Sequence, residues 1–341
     1  MSEIEDREPS LPRETTALFG HAAAESGLLD AYKSGRISHA WLIGGEPGIG
    51  KATLAYRLAR FVLAHPDPTA PAVQTAASLA VSPDNPVARR IVARAQGGLL
   101  VLERVINEKT GKLFTEIRVE DIRQTVTFFG STADGWRIVI VDAVDELNRF
   151  GANALLKVLE EPPARSLLLL VTHAPGRVLP TIRSRCRRQL LRPLAIDEVA
   201  SAVAAATGGD ANDNKICEAA AAAGGSVARA IGLLDEKTAV LRERVLDLLA
   251  QLPDPDPRAL HALGDSLGGS EPATLAAFLD MVNVWLGGRM RSGAQQTARL
   301  ARFAEISGNV NRAARDVDIY NLERKPLIFM VFGLLAEAAR A

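Results

Sequence analysis

The chain has 341 residues, too many for one compact core, and at about 150 residues per domain it divides into two or three domains. Forty Lys+Arg balance forty Asp+Glu, and zero net charge excludes a polybasic, histone-like protein. Two cysteines, Cys186 and Cys217, exclude a disulfide framework and a four-cysteine zinc site, so no metal is expected.

Residues 1–16 are polar, with prolines at 9 and 12 and acids at Glu3, Glu5, Asp6 and Glu8. They lack the apolar stretch of a signal peptide and are expected to form a flexible arm. Short apolar runs then recur: Ala40 to Ile43, Leu99 to Leu102, Ile138 to Val141, and Leu167 to Val171. Little period-2 alternation marks them, as expected of central parallel strands covered on both faces. Helical stretches such as Thr53–Leu63 and Asn153–Glu161 separate them, giving an α/β domain over residues 17–194. The proline-rich segment 64–97 breaks the alternation and reads as a loop or insertion.

After Pro193 the strands end. Residues 195–237 carry alanine-rich helices around Gly224-Gly225-Ser226, expected as a small helical domain. Residues 238–341 read as an all-helical bundle, with a stripe from Leu275 through Phe278, Val282 and Trp285 to Leu286. The run Leu327–Leu335 spans nine residues, far below the roughly 20 that cross a bilayer, so the expectation is cytoplasmic with no membrane partner.

Gly45-Glu46-Pro47-Gly48-Ile49-Gly50-Lys51-Ala52-Thr53 follows the first strand and opens a helix, the context of a phosphate-binding loop. Backbone N–H groups, the Lys51 charge and the helix N-terminus would surround an anion. The plainer alternative is a glycine-rich turn. Ala52 occupies the position from which a Ser or Thr hydroxyl holds Mg²⁺, and Thr53 lies one residue, about 100°, further round the helix. The strand at 137–142 ends in Asp142, placed to hold Mg²⁺ through water, but Ala143 follows where a water-activating glutamate is usual. Asp145 and Glu146 read as solvent-exposed helix-start acids. Two chemical positions are therefore alanine, and the site is expected to be silent.

Asn153-Ala154-Leu155-Leu156-Lys157-Val158-Leu159-Glu160-Glu161-Pro162-Pro163 follows Asp142 by eleven residues, and Ser184-Arg185-Cys186 comes later. With His39-Ala40, Glu116-Ile117-Arg118 and Asp121-Ile122-Arg123, these strings strongly resemble the bacterial clamp-loader family of AAA+ proteins over residues 17–194. The resemblance implies a P-loop AAA+ domain, a helical lid and a C-terminal helical collar. Within that family the pattern is similar to the delta-prime type of DNA polymerase III subunit, whose own ATP site is degenerate. It implies a hetero-oligomeric DNA replication protein, an enzyme only through membership of the polymerase holoenzyme. Its partners would be motor and delta-type subunits and, through the complex, the sliding clamp and primer-template DNA. Relatives usually carry a four-cysteine zinc module after the P-loop helix; here no cysteine stands in 64–98, so no zinc is expected. ATP or ADP is the implied ligand, bound weakly or not at all, with Mg²⁺ only alongside it. The binding set would be Gly45, Pro47, Gly48, Ile49, Gly50, Lys51, Ala52, Thr53, Asp142 and, as first sensor, Thr172. Ala228 stands where motor subunits place a second sensor arginine.

Six arginines (177, 183, 185, 187, 188, 192) and no acid occupy the segment from Ser166 to Ile196. Singly, most read as a solvated basic surface. The resemblance gives Arg185, flanked by Ser184 and Cys186, a role as an arginine finger reaching a neighbouring subunit's ATP. Cys186 then reads as a packed residue, His39 as packing beside the strand and His173 as a loop residue. The competing function is an autonomous AAA+ ATPase, such as a DNA branch-migration motor, supported by the intact Gly50-Lys51 and opposed by both alanines.

Overall fold

The computed structural model describes residues 9–104, 116–117, 119–130, 135–292, 297–320 and 322–340. Two compact units divide the chain at residues 231 and 232. The first runs through α1 (Ala22–Lys33), β1 (Ala40–Gly44), α2 (Lys51–Ala64), α3 (Pro71–Gln74), α4 (Pro86–Val92), β2 (Leu99–Glu103), α5 (Val119–Gly130), β3 (Arg137–Asp142) and α6 (Arg149–Glu160). It continues through β4 (Ser166–Thr172), α7 (Pro180–Arg183), β5 (Arg187–Leu190), α8 (Ile196–Thr207), α9 (Asn214–Ala222) and the start of α10 (Val227–Leu233).

All five strands are parallel, in the order β2-β3-β4-β1-β5. Alternation that the sequence hides is present in the fold. Trp41, Ile43, Ile140, Leu169 and Val171 enter one core with α1, α2 and α4. Leu42, Val139, Val141, Leu168 and Leu170 enter a second with α5, α6 and α7. Both faces are dry, so both sets must be apolar. Each large aliphatic side chain buried there contributes about 1.5–3 kcal/mol.

β5 was not expected as a strand. Its sequence, Arg-Arg-Gln-Leu, is polar because it is the sheet edge, paired on one side with β1 in the register Trp41↔Arg187 to Gly44↔Leu190. Arg187 lies 4.9 Å over the Trp41 ring, while Arg188 and Leu190 face solvent. Charged side chains on an edge oppose pairing with another chain.

The segment 64–98 has a definite structure. Val73, Leu79, Val87 and Ile91 are buried against α2, which anchors α3 and α4 to the sheet core. Polar ties add to this: Leu79 N–H donates to Glu25 at 2.9 Å, Trp136 Nε1 to the Pro66 carbonyl at 2.9 Å, and Lys33 Nζ to Ala76 at 2.6 Å. Among the described residues no cluster of His, Cys, Asp or Glu could hold a metal ion.

The flexible-arm expectation needs correction over 10–16; residues 1–8 lie outside the described residues. Arg57 and Arg60 of α2 are buried and reach this segment: Arg60 Nη2 donates to the Arg13 carbonyl at 2.8 Å, and Arg57 donates to that of Thr16. Arg57 Nε also pairs with buried Glu25 at 2.5 Å, and Ser10 N–H reaches the Ala206 carbonyl of α8 at 3.2 Å. Backbone carbonyls captured by buried cations hold a polar, proline-containing segment that propensity alone would leave loose.

The second unit contains α11 (Glu236–Ala250), α12 (Pro257–Gly268), α13 (Pro272–Ser292), α14 (Thr297–Tyr320) and α15 (Arg324–Arg340). Asp235 and Asp256 cap α11 and α12 by accepting N–H bonds from Thr238 and Arg258. The expected stripe is core: Leu275, Phe278, Val282 and Leu286 are buried, and Trp285 lies at its margin. Leu327, Ile328, Val331, Phe332 and Leu335 join it. Asn283 and Asn311 exchange reciprocal amide bonds of 3.1 Å between α13 and α14. No helix among the described residues is long and apolar enough to cross a membrane.

Candidate functional site

The loop between β1 and α2 leaves the C-terminal end of an interior strand, where open α/β sheets place ligands. Gly48 has φ 74°, and a Cβ there would lie 2.3 Å from Ser226 Oγ and 2.7 Å from Ala228 Cβ, so only glycine fits. Its carbonyl accepts the N–H groups of Val227 and Ala228 at 2.9 and 3.3 Å, closing the first turn of α10 onto the loop. His21 Nε2 lies 2.6 Å from the Ile49 carbonyl and must carry the proton to bond it. The loop is held in shape by its own fold.

Lys51 is 3% exposed and its Nζ donates to the Glu46 carbonyl at 2.5 Å. Burial pulls its pKa down to about 8, against the opposing pull of Asp142 and Asp145. Burial likewise raises the Asp142 carboxyl above the usual range, with the Lys51 charge opposing. Asp145 and Glu146 are not the free surface acids the sequence suggested. Asp145 Oδ1 accepts the His173 N–H at 3.0 Å, and Glu146 pairs with Arg104 at 2.8 Å.

A cavity of about 300 Å³ opens beside the loop. One end holds Lys51 and Asp142; Gly48, Ile49, Gly50, Ala52 and Thr53 border it. Pro12, Leu18 and Phe19 from the N-terminal segment and Ala202, Val227 and Ile231 from the helical side make much of its apolar wall. Gly45 and Pro47 lie outside that lining. Thr172 does not enter it either: its side chain is buried and its hydroxyl accepts the Ala174 N–H at 3.2 Å. The strand neighbours Val171 and His173 face the cavity instead. The His173 imidazole is held below its usual pKa by burial and by the Lys51 charge.

This geometry fits a phosphate-bearing, partly apolar ligand. The left-handed Gly48 and Gly50 shape the loop, Lys51 supplies charge, and the 14-residue α2 starts at the cavity. It fits Mg²⁺ poorly, since neither Ala52 nor the buried Ala143 offers a side-chain oxygen, and Asp142 is left to approach such an ion through water.

The arginine turn lies elsewhere, and the cavity takes no residue from 181–188. Ser184 is exposed; Arg185 has a side chain 36% exposed, with Nη1 bonded to the Thr181 carbonyl at 2.9 Å and Nη2 to Glu160 Oε1 at 2.8 Å. Cys186 is packed into the second core and burial pushes its thiol up to about 12, which leaves it unsuited to nucleophilic work. Arg183 Nη1 reaches the Pro175 carbonyl at 3.4 Å, while Arg177 and Arg192 are exposed. Ile117 pairs with Leu147 in an isolated bridge; Arg118 lies outside the described residues.

The profile of the family described as "DNA polymerase III, delta subunit" matches residues 20–195, just over half of the chain. The DNA polymerase III subunit delta' of Pseudomonas aeruginosa is 36% identical over 154 residues, 45% of this chain and 42% of that protein. The gamma/tau subunit of Mycobacterium tuberculosis H37Rv is 29% identical over 297 residues, 79% of this chain and 48% of that protein. The matches thus span about half the length of these curated relatives. A solved gamma subunit-related protein of Thermotoga maritima superposes with TM-score 0.40 and 18% identity, covering 92% of this chain and 100% of that one.

Proposed function

The chain belongs to the DNA polymerase III delta-subunit family of bacterial clamp-loader proteins, and from that premise we propose that it is a delta-prime-type subunit. It works in the cytoplasm beside motor and delta-type subunits, in a complex that opens a sliding clamp and places it on primer-template DNA. Its own loop holds nucleotide weakly, if the complex supplies it, and does not hydrolyse it. Arg185 enters the neighbouring subunit's ATP site and offsets charge on the γ-phosphate, and the helices of 238–341 form its part of the collar.

The observation that carries this reading is the contrast at three positions: Ala52 in the cavity lining, the buried Ala143 next to Asp142, and a surface guanidinium at Arg185. When bound, Mg²⁺ would neutralise phosphate charge; Ala52 would give it no hydroxyl, Asp142 would hold it through water, and Ala143 would leave no carboxylate to activate the attacking water. The test is ATPase activity of the complex reconstituted with Arg185→Ala. Assembly should be unchanged and turnover should fall on the order of 10³-fold or more. Arg185→Lys should stay low, because an ammonium lacks the planar fork. Unchanged ATPase in Arg185→Ala would falsify the finger assignment.

A further inference from the structure

Given that Arg185 acts in trans, we propose that Glu160 is its positioning residue. Glu160 is the last residue of α6, and its Oε1 lies 2.8 Å from Arg185 Nη2. The Thr181 carbonyl of α7 takes Nη1 at 2.9 Å. Two separate elements therefore grip the two terminal nitrogens. A guanidinium has five N–H donors, so three remain for a phosphate outside the chain.

Helix stability gives no reason for an acid here. The C-terminal end of a helix carries partial negative charge and favours a cation, so Glu160 is misplaced unless a cation accompanies it. Arg185 is that cation, bridging the end of α6 to the turn after α7. The side chains are 36% and 50% exposed, and a pair so open to water adds little to folding stability. Its consequence is geometric. A long, unanchored arginine samples many rotamers, whereas one held at two points meets a neighbour's phosphate with its fork already oriented.

The experiment is a double-mutant cycle of Glu160→Ala and Arg185→Ala in the reconstituted complex, with thermal unfolding of each chain as a folding control. Glu160→Ala should lower kcat on the order of ten- to a hundredfold with KM for ATP nearly unchanged, as expected for lost orientation rather than lost binding. Glu160→Gln, which keeps an acceptor oxygen, should recover part of the loss. On the Arg185→Ala background, Glu160→Ala should add nothing, because it acts only through the guanidinium. Unchanged kcat in Glu160→Ala, or an equal drop on both backgrounds, overturns the positioning role and leaves the finger standing. No effect of Arg185→Ala itself removes the finger, and Glu160's role with it.

Discussion

The phosphate-loop cavity and the Arg185 turn are built in opposite ways. The loop is over-determined: Gly48 is clasped by the first turn of α10, His21 supports Ile49, and buried arginines hold the N-terminal segment that walls the cavity. Yet the groups that would use that shape for hydrolysis are alanines. The turn has few constraints, chiefly one carbonyl and one half-exposed carboxylate, yet under the proposed function it supplies the reactive guanidinium. On that proposal shape and chemistry have separated, and a preserved pocket is poor evidence of activity in its own chain.

Perturbing the framework should separate the two regions most strongly. Glu25 neutralises the buried Arg57 and also accepts the Leu79 N–H. Glu25→Ala should destabilise the first unit by about 3–5 kcal/mol, since it strands a buried guanidinium. Denaturant unfolding followed by tryptophan fluorescence should report this; a change within experimental error would mean the pocket wall is not held as described.

The pH dependence of binding sharpens the contrast more gently. If the loop binds phosphate as proposed, it needs the Lys51 ammonium, present below about pH 8. Affinity of the isolated chain for ADP should be level at neutral pH and fall by up to about tenfold per unit above that value. Folding stability runs the other way: between about 8 and the ordinary lysine pKa the unfolded chain holds the extra proton, so this group's contribution rises with pH. A flat affinity profile to pH 10 would place the lysine outside the binding site.

The smallest effect belongs to Cys186. It should resist thiol reagents in the native chain while exposed Cys217 reacts, and Cys186→Ala should cost about 1 kcal/mol without altering ATPase of the complex. Rapid native labelling of Cys186 would contradict its packed role.

Four strands, the interior β1, β3 and β4 and the edge strand β2, were legible because each is written as an unbroken apolar run, as in a sheet covered on both faces. The same property concealed the face of each residue. In Leu167–Val171 every position is apolar, so nothing in the string indicates that Val171 and His173, and not Thr172, face the cavity. β5 was missed because its sequence, Arg-Arg-Gln-Leu, is polar and mostly exposed, whereas the other edge strand, β2, keeps an apolar run. The ordered segment 10–16 was missed for another reason: it is held chiefly through its own backbone carbonyls, which no side-chain pattern displays. A signal did exist in Arg57 and Arg60, two cations three residues apart on an otherwise apolar helix. Asp145 was assigned to solvent because a turn following a strand usually lies there, whereas the short 3₁₀ turn Val144–Glu146 brings its carboxylate to the His173 N–H just after β4.

The most direct measurement places Lys51→Ala and Arg185→Ala side by side in the reconstituted complex and compares steady-state ATPase. Lys51→Ala should leave turnover within about twofold, while Arg185→Ala should lower it on the order of 10³-fold. The reverse ranking, with the pocket lysine indispensable and the surface arginine dispensable, would contradict the account.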